Sequence, residues 1–267
     1  MLKRFLALTI LLMGSPALLA AESLTAALEQ AANGEHRSAT NIARNAYRHP
    51  VQTMEFFGLK EGMTVIEINP GGMWYTEVLA PALQGRGQYI AAGYGALGDG
   101  SPSYQIQQNK MLQERFAKEA VFSGAKITHF SPTAKAPLGT PASADMVVTF
   151  RNTHGWINDG VADAAYKAFF EVLKPGGVLG VVQHRGPAVK SGFTGYVTEQ
   201  QVIDIAQNAG FVLEARSEIN ANPKDSKDYS EGVWALPPVL RMGDVDREKY
   251  EAIGESDRMT LRFRKPE

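Results

Sequence analysis

The sequence has no cysteine. That absence removes disulfide scaffolds, thiolate metal sites and cysteine nucleophiles together, and it suits an oxidising compartment. An excess of one charge is also missing: 27 Lys and Arg stand against 28 Asp and Glu, a net charge of -1. No run of like charge is long enough to form a tail, so neither nucleic acid nor an anionic membrane is called for as a partner. No apolar run reaches the ~20 residues that span a bilayer. The H-E-x-x-H, G-x-S-x-G and P-loop patterns do not occur. The histidines lack carboxylates at ligand spacing, so no metal site is expected. There is no internal repeat and no low-complexity segment.

What is present starts at the N-terminus. Lys3 and Arg4 precede an apolar run over 5–13, a Gly14-Ser15-Pro16 break and the small residues of 17–21. This is the pattern of a secretory signal, expected to be cleaved after Ala20 or Ala21 and to leave no stable membrane insertion. It places the mature chain in the periplasm or outside the cell. With 267 residues and 44% hydrophobic content, one large core is expected after it.

Residues 22–48 read as helical, with Leu24, Ala27, Leu28 and Ala31 on one face, and Pro50 admits a second short helix over 51–57. Strands are expected over 64–68, 88–92, 125–130, 144–150, 178–182, 211–217 and 259–263. Helices are expected between them, over 73–80, 104–120, 161–173 and 199–209. This alternation predicts an α/β fold: a doubly wound, mostly parallel seven-stranded sheet with helices on both faces. The last strand, after an irregular stretch over 220–255, is expected to insert antiparallel. Three segments follow: the signal at 1–21, a helical lid at 22–60, and the α/β domain at 61–267.

Ligands of open parallel sheets bind beyond the C-terminal strand ends. Asn69-Pro70-Gly71-Gly72 lies at such an end, where Gly71 and Gly72 let backbone approach a ligand and the next helix offers free N–H groups. Glu67 stands just before it, suited to a cationic amine or to orienting loop amides. A tight strand-to-helix turn would explain the glycines equally well. After the fourth strand, Phe150-Arg151-Asn152-Thr153-His154-Gly155-Trp156 brings together a base titrating near neutrality in His154, an anion holder in Arg151 and a stacking surface in Trp156. Arg151 and His154 could instead satisfy buried carbonyls. His184 and Arg185, after the fifth strand, read mainly as structural. The polar run from Arg44 to Pro50 suggests either a lid over the crevice or a solvated helix terminus, and Tyr229–Trp234 a wall facing it.

Thr64-Val65-Ile66-Glu67-Ile68, the glycine loop, Asp145-Met146-Val147-Val148 and Phe169-Phe170-Glu171-Val172-Leu173-Lys174-Pro175-Gly176-Gly177-Val178-Leu179 resemble class I S-adenosylmethionine-dependent methyltransferases. Tyr47-Arg48-His49-Pro50, the run from Gly72 to Pro81, Thr149-Phe150-Arg151-Asn152-Thr153-His154 and the run from Gly254 to Leu261 resemble one family of exported bacterial predicted methyltransferases, over about residues 40–267. The resemblance implies the Rossmann-like methyltransferase fold, S-adenosylmethionine as cofactor and methyl transfer to a small-molecule acceptor in the cell envelope. It matches Glu67, Asn69, Gly71 and Gly72 to the loop that holds the cofactor's amino-acid end, and Phe150 to His154 to the segment that lines cofactor and substrate; within that segment Phe150 is expected to touch the cofactor and Arg151, Asn152 and His154 to be catalytic, and the Tyr94 hydroxyl is expected to substitute for a missing cofactor contact. The sequence departs from the pattern in three places. Met73 stands near the loop's usual third glycine, the second strand ends in Ala92-Gly93-Tyr94 without the usual ribose-binding acid, and Phe130-Ser131-Pro132 lacks the acid near adenine. A non-catalytic, small-molecule-binding protein on the same scaffold is the alternative reading.

Overall fold

Runs of β-branched and apolar residues become strands, and the amphipathic stretches between them become the layers that cover the sheet. The computed structural model describes residues 23–134, 136–188 and 192–267; the expected export signal lies outside them. The strands are β1 (Thr64–Ile68), β2 (Gln88–Tyr94), β3 (Lys126–Phe130), β4 (Ala144–Phe150), β5 (Leu173–His184), β6 (Val212–Ser217) and β7 (Arg258–Arg264). They form one seven-stranded sheet in the order β3-β2-β1-β4-β5-β7-β6. The pairs among β1 to β5 are parallel, and β7 runs antiparallel to both β5 and β6. Strand order reverses between β1 and β4, so the crevice expected at a switch point opens above their C-terminal ends.

The helices are α1 (Leu24–Ala32), α2 (Ala39–Ala43), α3 (Asn45–Arg48), α4 (Pro50–Phe57), α5 (Thr76–Leu83), α6 (Ser103–Lys118), α7 (Thr153–Asn158), α8 (Ala162–Val172), α9 (Glu199–Asn208) and α10 (Arg247–Ile253). One core layer joins α1, α4 and α5 to one face of the sheet, and the other joins α8 and α9 to the opposite face. Alternation sorts the strand residues between them. Val65, Met146 and Val148 face the first layer, whereas Ile66, Ile68 and Val147 face the second. Helix starts follow local chemistry: Ser23 caps α1, and Thr198 with Gln201 forms a capping box on α9. Gly180 of β5 has a packing reason, because a Cβ there would come within 2.5 Å of the Phe57 ring of α4.

Three expectations need correction. First, the segment 22–60 is not a lid. Glu77 of α5 accepts from Arg37 Nε at 3.3 Å, Asn41 Nδ2 at 2.8 Å and Arg115 Nη1 at 2.6 Å, which fastens the N-terminal helices to the first layer. Arg37 and Arg48 lie over the Trp74 ring at 4.6 and 4.8 Å. Second, β5 begins at Leu173 rather than 178. The Lys174–Gly177 excursion is absorbed by a register shift against β4 and by bonds between Gly176, Gly177 and Lys265. Third, α7 and α10 form where loops were expected.

Candidate active site

The turn after β1 sets one wall of the crevice. Asn69, Gly71 and Met73 all take left-handed backbone, with φ of 44, 57 and 63°. Asparagine tolerates that conformation. Met73 does so at a cost of ~1–2 kcal/mol, offset by complete burial of its side chain. Methionine therefore adopts the backbone that the missing third glycine would have eased. Gly71 faces the side-chain amide of Gln108, 3.9 Å from where a Cβ would sit. Gly72 has ordinary φ and open space around its missing Cβ, and it does not line the cleft.

That cleft has a volume of about 600 Å³. Asn69, Gly71, Tyr94, Phe150, Arg151, Asn152 and His154 line it together, as the sequence suggested. Among the described residues, none of 23–60 does. Glu67 does not line it either, and the reason is parity. It shares its face of β1 with Val65 and so points beneath α5, where it is buried and accepts from Thr76 Oγ1 at 2.9 Å and from the Tyr89 hydroxyl. Burial pushes its carboxyl up to about 7, against the lowering effect of those two bonds. Glu67 ties β1 and β2 to the start of α5 and lies away from the cleft lining where a cofactor amine was expected to meet it.

At the end of β4, Phe150 stacks on Tyr75 at 3.5 Å and 9°. Asn152 donates through Nδ2 to Ile68 O at 2.9 Å and to Thr149 Oγ1 at 3.1 Å, so its amide nitrogen clips the β4 end to the β1 end. Arg151 has a φ of 64°. Burial first, and Arg258 next, lower its guanidinium to about 10. His154 sits in the first turn of α7 rather than in a loop. Burial lowers it to about 4, which outweighs the raising effect of Gln183, so the ring is neutral at ordinary pH. The Gln183 amide nitrogen lies 3.1 Å from His154 Nδ1 and 3.5 Å from the Gly195 carbonyl. The expectation of a base titrating near neutrality is thereby revised: a ring held down at about 4 is a weak base and stays neutral.

Several functional residues were not anticipated. Tyr104, Gln105 and Gln108 of α6 line the cleft opposite the glycine turn, beside Tyr94, whose backbone is held on both sides by Asn109. Within α6 only Leu112 is buried. A helix this polar, with uncharged amides on one face, is itself a signal of ligand contact. His184 lies at the floor, 5.4 Å from the His154 ring, with Nδ1 2.6 Å from Ser256 Oγ. Arg185 turns away to Asp257 and Glu218. From the expected far wall Trp234 reaches the cleft with Phe193 and Arg241, while Tyr229 packs edge-on against Tyr250 at 5.6 Å. Among the described residues no group of His, Asp and Glu is arranged to hold a metal ion, and no helix is long and apolar enough to cross a membrane.

No protein-family model matches the chain, and no curated protein is similar to it. Solved structures are similar in shape. A SAM-dependent methyltransferase from Aquifex aeolicus superposes with a TM-score of 0.54 at 14% identity, over 84% of this chain and 93% of that one. A SAM-dependent methyltransferase from Methanosarcina mazei gives 0.51 at 12% identity, over 78% and 94%. The fold is that of class I S-adenosylmethionine-dependent methyltransferases. Identities this low carry the architecture and not the chemistry. The [4+2]-cyclase SpnF, at a TM-score of 0.52 and 17% identity over 91% and 93%, shows one methyltransferase-like architecture put to a different reaction. In the methyltransferase fold the cleft found here occupies the crevice above the β1–β4 switch point, so the loops after β1 and β4 carry its two sides.

Proposed function

We propose that this chain transfers a methyl group from S-adenosylmethionine to a small organic acceptor in the cell envelope. One observation carries the reading. Two buried acceptor atoms without partners, Asn69 Oδ1 and Gln108 Oε1, belong to residues that flank Gly71 in the cleft. Unpaired buried acceptors ask for a donor-rich ligand, and the hydroxyls and ammonium of S-adenosylmethionine are such donors. The acid usually found at the end of the second strand is absent. Gln108, from the helix opposite, offers a neutral acceptor in its place, worth about 0.5–1.5 kcal/mol per bond. The residues present therefore fit the cofactor.

When bound, the cofactor supplies a methyl group activated by its sulfonium. The chain's own contribution is placement and exclusion of water. The Gly71 turn and Gln108 hold one end of the cleft, Phe150 backed by Tyr75 gives it a flat wall, and Arg151 presents its guanidinium to the acceptor beside the neutral His154 ring. The N-terminal signal pattern supports export, and with it a reaction in the periplasm or outside the cell. The missing acid and the weak basicity of His154 favour a second reading: a non-catalytic binding protein that captures a small molecule in this cleft.

Calorimetric titration of S-adenosylhomocysteine into the chain freed of residues 1–21 tests the proposal. The expected dissociation constant is mid-micromolar or tighter, about -6 kcal/mol. No heat at millimolar ligand would overturn it and leave the binding-protein reading.

A further inference from the structure

Beneath the cleft the fold gathers more guanidinium charge than its acids balance. Arg44, Arg48 and Arg258 all bond one carboxylate, that of Glu255, and Arg151 lies within the field of the same group. Arg48 and Arg258 are buried at 0% and 2% exposure. Arg48 Nη1 and Nη2, Arg258 Nε and Arg151 Nε are all buried without a hydrogen-bond partner. Buried guanidinium N–H groups are strongly biased toward carboxylates and similar planar anions.

Arg151 brings this charge into the cleft, which it lines. Its φ of 64° would be easy only for glycine, so the chain holds a strained backbone to keep an arginine there. Next to it stands a wall of rings. His154 stacks on Phe193 at 5.6 Å and 25°, and Phe193 lies 5.1 Å from Trp234. A planar organic ligand finds in one cleft both aromatic rings, Phe193 and Trp234, and a cationic donor, Arg151.

We propose that the molecule methylated in this cleft is an aromatic carboxylate, its anionic group seated on Arg151 and its ring against Phe193 and Trp234. The word methylated rests on the function proposed above; the anion site does not. S-adenosylmethionine carries a net positive charge, and an anionic partner balances both it and the arginines, so the two ligands favour each other's binding.

The test uses benzoate and its neutral analogue benzamide on the full chain, read by the fluorescence of Trp156 and Trp234, both of which line the cleft. Benzoate is expected to bind at least tenfold more tightly than benzamide, and more tightly with S-adenosylmethionine present than with S-adenosylhomocysteine, which lacks the sulfonium charge. Arg151→Gln is expected to lose at least tenfold in benzoate affinity and little in benzamide affinity, and Arg151→Lys to retain most of it. Equal affinity for the two probes, or no benzoate binding at 10 mM, would overturn the proposal. So would a loss of S-adenosylhomocysteine affinity in Arg151→Gln without loss for 5′-methylthioadenosine, which lacks the amino-acid end, because Arg151 would then serve the cofactor's own carboxylate. If S-adenosylhomocysteine fails to bind while benzoate preference persists, the methyl-transfer reading falls and the anion site stands. Should Arg151→Gln misfold, the benzoate-to-benzamide ratio of the unaltered chain decides.

Discussion

Replacing Glu255 by glutamine isolates the electrostatics under the cleft. The Glu255 carboxylate is 1% exposed and accepts from Arg44 Nε at 2.6 Å, from Arg48 Nε at 2.8 Å and from Arg258. Glutamine keeps the shape and one acceptor oxygen but removes the charge. Removing one partner of a buried ion pair costs about 3–5 kcal/mol, because the charge left behind is uncompensated. Here several guanidiniums share the loss, which argues for the top of that range. Arg44, 17% exposed at its side chain, recovers part of it from water, so about 4 kcal/mol is expected. Domain stabilities run about 5–15 kcal/mol, and a domain this large shifts by about 2–4 °C per kcal/mol, so the melting temperature should fall by roughly 8–16 °C. Urea titration at pH 7 measures the energy directly.

The pH dependence gives a second readout of the same substitution. The surrounding arginines hold the Glu255 carboxyl far below the usual carboxylate range, against the opposing effect of burial, the largest single influence. A depressed carboxyl contributes its stability above the unfolded value and loses it as the pH falls toward the folded one. The gap between wild type and Glu255→Gln should therefore narrow on acidification. A midpoint change worth less than about 1 kcal/mol at pH 7, or a gap that does not depend on pH, would refute the reasoning.

Glu67→Gln should act in the opposite sense. Burial raises Glu67 to about 7, so its contribution is complete below the unfolded carboxylate value and is lost as pH rises through about 7, by up to ~3 kcal/mol. The glutamine variant should lack that slope and gain on wild type between pH 5 and pH 8 in urea titrations; parallel profiles would show that Glu67 is not buried as described. His154→Ala should abolish methyl transfer in an assay of the purified chain while moving the melting temperature by only a few degrees, about 1 kcal/mol of lost ring contact. A collapse in melting temperature would mark the ring as structural. Since His154 is held down at about 4 by burial, the activity of the unaltered enzyme should show no inflection near pH 6.5 from this residue.

How much of this could be read in the sequence depends on how local the cause was. β1 and β4 were placed to the residue, because compact runs rich in β-branched and apolar residues and bounded by turns have few alternatives. The antiparallel last strand followed from its position after the βα units. The cleft loops after β1 and β4 were likewise legible, since a parallel sheet puts its ligands at those ends. Glu67 was misplaced because proximity to the glycine turn outweighed strand parity, although the parity was in the sequence: Val65 and Glu67 share a face. α7 was missed since Thr153–Asn158 has too few residues to show a period. The role of α6 was missed because its amides carry no charge and no motif.

The arginine cluster is another matter, for no local pattern encodes it. Arg44 and Arg48 meet Glu255 across 211 and 207 residues of chain, and Arg151 comes from a third region. The polar run from Arg44 to Pro50 read as a lid or a solvated helix terminus because a buried arginine is rare enough to be a poor expectation. Such a cluster is also a poor way to stabilise a core, since well-packed apolar side chains in its place are often as good or better by a few kcal/mol. Stability alone therefore does not account for it. A charge that the cleft uses does account for it, because the same desolvation that makes the cluster expensive strengthens its field at Arg151, the one member that also lines the cleft.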